Sequence, residues 1–350
     1  MSLYDSQTYI RDLDTSVDAS VGIEKMKNCA VLITGATGTI GSYLVDLFLR
    51  YNDTHSAGIK IYASGRSLKR LSERFDGFKT ELLTYVEYDI LEKISFDFPV
   101  DYIIHAAGNA YPEAFSNHPV ETVVGNVSGT YALLEYARMH GAKRLLYVSS
   151  GEVYGQGDLS LDEYDEDYSG YVNPVSPRSC YPSSKRAAET LCASYSKQYG
   201  LETVIVRPCH TYGPSITAVD NRANAQFIRN VLGGEDIVLK SEGLQMRSYC
   251  YIADCASVIL TVLMNGKSGE AYNSANPDAR ITIAGFAGAI AEAASRNVVF
   301  AVPTNDDIAQ RTPIAKQVLS SKKAEELGWK GHFSVQSGTE HTLRILKESE

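Results

Sequence analysis

The chain has 350 residues, 44% hydrophobic and 21% charged, enough to bury a large core and unlike a disordered polymer. A formal net charge of -9 excludes the basic footprint of a nucleic-acid binder, so an anionic ligand must be held by individual arginines. The six cysteines form no CxxC and no metal-ligand spacing with the seven histidines, so they read as reduced thiols and no metal site is expected.

Residues 1–28 carry a weak helical pattern (Tyr9, Ile10, Leu13) and read as an N-terminal extension packed on the surface. They lack the basic start and apolar stretch of a signal peptide, and no apolar run approaches a membrane span. The expectation is a cytoplasmic protein without a membrane partner. From Ala30 to Ile33 an apolar run leads into a Gly-rich turn and then an amphipathic segment (Leu44, Val45, Leu47, Phe48), which predicts strand, turn and helix. Further buried-type strands are predicted at Ile59 to Ala63, Tyr85 to Tyr88, Tyr102 to His105, Leu145 to Val148 and Thr203 to Val206, with helices between several of them. This alternation specifies an α/β fold with a doubly wound parallel Rossmann sheet over 29–207. The acidic stretch Asp158 to Asp167 reads as a solvated loop. Beyond Arg207 the elements shorten: a helix at Ala223 to Leu232, strands at Ile237 to Leu239 and Ser248 to Tyr251, and helices near 283–294 and 335–347. A smaller α/β substrate-binding domain over 208–350, with an interleaved boundary, is expected.

Gly35, Gly38 and Gly41 form GxxGxxG between the first strand and its helix, the context in which such glycines cradle a dinucleotide pyrophosphate at a helix N-terminus. At the end of the second strand, where NAD enzymes present a carboxylate to the ribose, the sequence reads Ala63, Ser64, Gly65, Arg66. Arg66 suits a 2′-phosphate, so the cofactor is NAD or NADP. Asp89 is placed to meet the adenine edge, and Ala106 to Gly108 let the backbone approach the cofactor. His105, just before them, reads as a packed, hydrogen-bonded histidine.

Tyr181 and Lys185 form YxxxK at the start of a helix and share one face. A lysine ammonium about 4 Å from the phenol lowers its pKa by roughly 3 units at an effective dielectric of about 20, which would make the tyrosine a base. Ser150, at the C-terminal end of the fifth strand, is placed to hydrogen-bond the reacting hydroxyl.

With these motifs the chain resembles the extended short-chain dehydrogenases/reductases of the NAD-dependent epimerase/dehydratase family from Ala30 to the C-terminus. The segments SSGEVYG (149–155), YVNPVSPRSCYPSSKRAAETLC (171–192) and HTYGP (210–214) are most similar to UDP-glucuronate decarboxylases. The resemblance implies catalytic roles for Ser150, Glu152, Tyr181, Lys185 and Arg311. It implies a cofactor site of Gly35, Thr37, Gly38, Thr39, Ile40, Gly41, Arg66, Asp89, Ile90, Ala106, Ala107, Gly108 and Asn126, completed by Tyr181 and Lys185. A nucleotide sugar, UDP-linked, would meet Ser150, Glu152, Arg178, His210, Arg222, Arg247 and Arg311. Gly151 replaces an Asp of related 4,6-dehydratases, removing the acid for a departing 6-hydroxyl, while Glu152 points to chemistry beside C5.

Decarboxylation is the leading implication, and another nucleotide-sugar 4-epimerase, dehydratase or ketoreductase activity is the alternative. His210 stands where decarboxylases carry Asn, and Asn109, Ala110, Tyr111 and Pro112 also depart from their loop. A non-catalytic NADP-sensing protein of the same fold would lack the full Ser, Tyr and Lys set. The resemblance also implies a homodimer, through the helix after Pro119 (Val123, Val124, Val127, Tyr131, Leu134) and the helix after Tyr181.

Overall fold

A computed structural model describes residues 3–78, 80–217, 220–304 and 314–349. The apolar runs of the N-terminal half become β1 (Ala30–Thr34), β2 (Lys60–Gly65), β3 (Leu83–Glu87), β4 (Tyr102–His105), β5 (Arg144–Val148) and β6 (Thr203–Pro208). Most of these positions are buried, as strands covered on both faces require. With β10 (Ala271–Ser274) they make a seven-stranded parallel sheet in the order β10-β6-β5-β4-β1-β2-β3. The chain winds outward from β1 through β2 to β3 and then back to β4 on the other side. The strand order therefore reverses between β1 and β4, where parallel sheets open a ligand crevice at their C-terminal ends.

The helices between these strands are α2 (Thr39–His55), α3 (Leu68–Arg74), α4 (Pro112–Asn117), α5 (Pro119–Met139) and α6 (Cys180–Tyr199). Pro119 opens α5 where its missing N–H costs nothing, and Gly200 ends α6 in the left-handed conformation at φ 69°.

The C-terminal half contributes β7 (His210–Tyr212), α7 (Ala223–Leu232), β8 (Ile237–Leu239), β9 (Met246–Tyr251), α8 (Ile252–Asn265), β11 (Arg280–Thr282), α9 (Ile283–Ala293), β12 (Val298–Phe300) and β13 (Lys316–Gln317). Strand β9 carries β7 and β13 in parallel and β11 antiparallel, while β8 pairs with β12. Helix α8 is buried from Ile252 to Leu263 and packs on β5 and β6, so this half re-enters the sheet through α8 and β10 before leaving it again.

Two expectations are corrected. The N-terminal segment is no surface extension: α1 (Gln7–Ala19) packs on α2, α8 and the C-terminal helix Val335–Glu348, with Tyr9 and Leu13 fully buried. Its polar face is consumed as well, because Asp12 accepts from Tyr251 at 2.6 Å and meets His341 at 2.8 Å, and Ser16 bonds Tyr43 at 2.9 Å. The acidic stretch is not simply solvated either. Tyr164 within it is fully buried and bridges to Leu319, and Glu163 pairs with Arg280 and Lys322.

Among the described residues no helix is long and apolar enough to cross a membrane. The six cysteines are unpaired and buried.

Candidate active site

Two adjoining cavities open at the reversal point. The larger, about 500 Å³, is lined by Gly35, Thr37, Gly38, Thr39, Gly65, Arg66, Arg70, Arg74, Tyr88, Asp89, Ile90 and Ala106 to Tyr111, with Arg222 at one end. The smaller, about 220 Å³, shares Gly35, Gly38, Thr39, Ala106, Gly108, Ala110 and Arg222 with it and adds Ile40, Gly41, Ser149 to Glu152, Tyr181, Lys185, His210 and Gln317.

The glycine turn is packed closely on the chain's own backbone. Gly35 has φ +71°, and a Cβ there would lie 2.8 Å from the Ala106 carbonyl oxygen. A Cβ at Gly41 would lie 2.2 Å from the Gly35 oxygen, so α2 seats directly on the turn. Gly38 caps α2 without a side-chain hydrogen bond. The first-turn N–H groups thus face the cavity with the positive end of the helix dipole, which suits a dinucleotide pyrophosphate. Asn126 is the exception in the expected cofactor set: it lies outside both cavity walls, buried behind Gly108 and bonded through Nδ2 to Ser184 Oγ at 2.9 Å.

In the smaller chamber β5 delivers Ser150 and the short turn that carries Glu152, while α6 delivers Tyr181 and Lys185 four residues apart. Lys185 Nζ donates to the Val148 carbonyl at 2.9 Å and sits 4.6 Å from the centre of the Tyr147 ring and 5.7 Å from that of Tyr181. Burial disfavours both charged forms. Lys185 is pushed down to about 7, and Tyr181 is pushed up to about 12, by burial first and by the Glu152 charge second. The expected lowering of the phenol by the ammonium is therefore not the state of this site. Ser150, which hydrogen-bonds Tyr181, and the charges of Arg222 and Arg178 pull the other way.

Glu152 pairs with Arg178 at 3.0 Å, and the Arg178 guanidinium lies 4.9 Å from the Phe115 ring centre, over its face. Phe115 in turn stacks on Tyr181 at 4.5 Å between centroids. Gly151 faces the wall formed by Leu319 and Gln317, and its carbonyl accepts from Gln317 Nε2 at 2.8 Å. His210 lines the chamber with its Nδ1 buried and unpartnered; burial and the nearby Arg247 and Arg222 charges push it down to about 3, so it is neutral. His105 lies beneath the turn, fully buried, its Nδ1 2.8 Å from Thr34 Oγ1.

The arginines divide. Arg222 faces both cavities and is held by Asp220, with Nε to Oδ1 at 2.9 Å. Arg247 does not reach either cavity: it is buried and donates to the carbonyls of Met246, Ile314 and Ala315, tying β9 to the segment before β13. Arg311 lies outside the described residues. Among the described residues no cluster of three or more His, Cys, Asp or Glu comes together as a metal site.

The family model described as the NAD dependent epimerase/dehydratase family matches residues 31–275. The chain belongs to this family. UDP-glucuronic acid decarboxylase 3 of Arabidopsis thaliana is 34% identical over 313 residues, covering 89% of this chain and 87% of that protein. UDP-glucuronic acid decarboxylase 1 of Danio rerio is 33% identical over 320 residues, covering 90% of this chain and 72% of that protein. Among solved structures, UDP-glucose 4-epimerase from Thermotoga maritima with UDP-glucose superposes with a TM-score of 0.76 at 22% identity, over 91% of this chain and 99% of that one. The dTDP-glucose 4,6-dehydratase DesIV from Streptomyces venezuelae, with NAD and TYD bound, gives 0.75 at 24%, over 91% and 97%. Both structural likenesses establish the fold of the epimerase/dehydratase family here.

Among the members of the site that escaped the sequence are Phe115, Gln317, Arg70 and Arg74. Only the last two left a signal, the four-residue spacing of Arg66, Arg70 and Arg74, which reads equally as the outer face of a short helix.

Proposed function

We propose that the protein is a UDP-glucuronate decarboxylase, converting a UDP-linked uronic acid and a proton into UDP-xylose and carbon dioxide, with NAD(P) as resident cofactor. The observation that carries this reading is Glu152, held by Arg178 in the same chamber as Ser150 and Tyr181, with Gly151 where a dehydrating relative would carry its acid. The relatives named above, a third identical over most of the chain, support the same substrate.

A dinucleotide held on the Gly35 to Gly41 turn would supply reversible hydride transfer at C4 without net consumption. In this scheme Tyr181 takes the proton of the C4 hydroxyl as its phenolate, the form that the positive charge of an oxidised nicotinamide and of Lys185 would favour against the burial that holds the phenol protonated, and Ser150 orients that hydroxyl. Glu152 lies beside C5, where it steers loss of the substrate carboxylate, and Arg178 balances its charge. Arg222 binds the diphosphate where the two cavities meet, and neutral His210 offers a ring nitrogen to the sugar. Gly35 to Gly41, Asp89, Ile90 and Ala106 to Gly108 seat the dinucleotide, with Asn126 bracing that turn from behind. In the same proposal Arg311 donates a proton on the sugar side, and Arg247 supports the strand carrying the chamber wall.

We assign the protein to the cytoplasm, in the supply of sugar donors for polysaccharide synthesis, as a homodimer through α5 and α6. Of the residues expected on this face Val123, Val124 and Tyr131 are exposed, with Val120 beside them, and support the dimer, whereas Leu134 is fully buried in the core beneath the helix. An epimerase or ketoreductase remains the second activity, favoured by His210.

The test is to incubate the purified protein with UDP-glucuronate and either dinucleotide, following nucleotide-sugar mass and nicotinamide absorbance. Loss of the mass of carbon dioxide without net cofactor consumption is expected. An unchanged substrate with the cofactor bound would overturn the proposal.

A further inference from the structure

The wall of the larger cavity beyond β2 is built from arginine. Gly65 ends β2 and Arg66 follows it ahead of α3, while Arg70 and Arg74, four residues apart on α3, share one helix face; all three line the cavity. The three are not equivalent. Arg74 is committed to Asp46, a fully buried carboxylate of α2 that also accepts from the Tyr9 hydroxyl of α1. Arg66 and Arg70 are exposed, and among the described residues neither has an acidic partner. The nearby Glu73 pairs instead with Lys69 at 3.8 Å.

A dinucleotide seated on the Gly35 to Gly41 turn places its adenosine ribose at the C-terminal end of β2. An NAD ribose needs a carboxylate there to accept its 2′-hydroxyl, and β2 offers none: Ser64, Gly65 and Arg66 occupy its end. None of the acids lining the cavity follows β2: Asp89 follows β3, and its Oδ1 accepts from the Leu91 N–H at 3.0 Å, Glu121 lies in the first turn of α5, and Asp220 holds Arg222.

We propose that Arg66 and Arg70 form a clamp for the 2′-phosphate of NADP, so that this chain selects NADP over NAD. The proposal rests on the dinucleotide reading of the crevice and goes beyond it by naming the cofactor and the residues that choose it. A phosphate monoester carries up to two negative charges and several acceptor oxygens, which two guanidinium groups match with paired, charge-assisted hydrogen bonds. Neither arginine must break an ion pair to engage it. Arg74, pinned by Asp46, adds positive field from behind, which couples the N-terminal helix to cofactor choice through Tyr9 and Asp46.

The test uses the purified full chain without sugar substrate. Dinucleotide released on denaturation is identified by mass, and the affinities of the emptied protein for NADP+ and NAD+ are measured by calorimetry. NADP as the released cofactor and an NADP+ affinity at least about tenfold above that for NAD+ are expected. Arg66→Ala and Arg70→Ala should each lower NADP+ affinity about tenfold while leaving NAD+ affinity within about twofold, and raised salt should weaken NADP+ binding more than NAD+ binding. Retained NAD+ binding shows that each variant is folded. Equal wild-type affinities, NAD as the released cofactor, or equal losses for both dinucleotides would overturn the clamp. Failure of the wild type to bind either dinucleotide would overturn the reading of the crevice itself, and the clamp with it.

Discussion

Arg178 stands 3.0 Å from Glu152 and places its guanidinium over the face of Phe115, the ring that stacks on Tyr181. One arginine thus links the Glu152 carboxylate, through Phe115, to the Tyr181 phenol. Glu152→Gln keeps the shape and removes the charge. Carbon dioxide release is expected to fall about 100-fold or more, with dinucleotide affinity unchanged. Undiminished release, measured as evolved carbon dioxide, would take Glu152 out of the reaction.

Tyr181→Phe retains the stack on Phe115 and loses only the hydroxyl. Turnover is expected to drop by about 1,000-fold, with calorimetric dinucleotide binding preserved. A variant with near-normal turnover would show that another group accepts the C4 proton.

Lys185 gives a pH signature. Its ammonium titrates at 10.5 in an ordinary setting and at about 7 in the folded protein. Between those values the unfolded chain holds one more proton than the folded one, so stability rises with pH across this window, and below about 7 the whole cost of the buried charge is present. Lys185→Met removes that cost. Its melting temperature, relative to wild type, should therefore be most favourable near about pH 6.5 and become steadily less so toward about pH 10. A difference independent of pH would contradict the depressed value.

Gly41→Ala places a methyl carbon against the Gly35 carbonyl oxygen, a backbone atom that cannot swing aside. Loss of about 1–3 kcal/mol of stability in denaturant titration is expected, with dinucleotide affinity at least about tenfold weaker because the turn must shift. Wild-type affinity in this variant would mean that the turn does not hold the pyrophosphate.

Leu13 belongs to the main core despite its place near the N-terminus. Leu13→Ala should cost about 2–5 kcal/mol in urea unfolding, whereas a surface extension would lose almost nothing.

The parallel sheet was legible because β1 to β6 are short apolar runs bounded by turns, and the glycines of the first turn have no other efficient use. Helix α1 was not. Asp12 and Ser16 look like a solvent face, yet their partners Tyr251, His341 and Tyr43 are supplied by distant parts of the fold. Strand β10 was missed because its four residues, Ala271–Ser274, include two polar side chains, and only its parallel pairing with β6 makes it a strand. Arg247 shows the opposite failure: a motif position suited to an anion is filled by an arginine whose donors are spent on backbone carbonyls. The charge state of His210 and the Tyr181–Lys185 pair depend on burial, which spacing along the chain does not encode.

The return of the chain through α8 and β10 has a bearing on protein engineering. A chimera that exchanges everything after β6 for the corresponding half of a relative also exchanges a strand of the cofactor-binding sheet. If the incoming strand does not match, the backbone edge of β6 is left open to pair with another molecule. Sugar preference is better transplanted by grafting the chamber walls around His210 and Gln317, leaving 252–274 in place, than by joining whole halves.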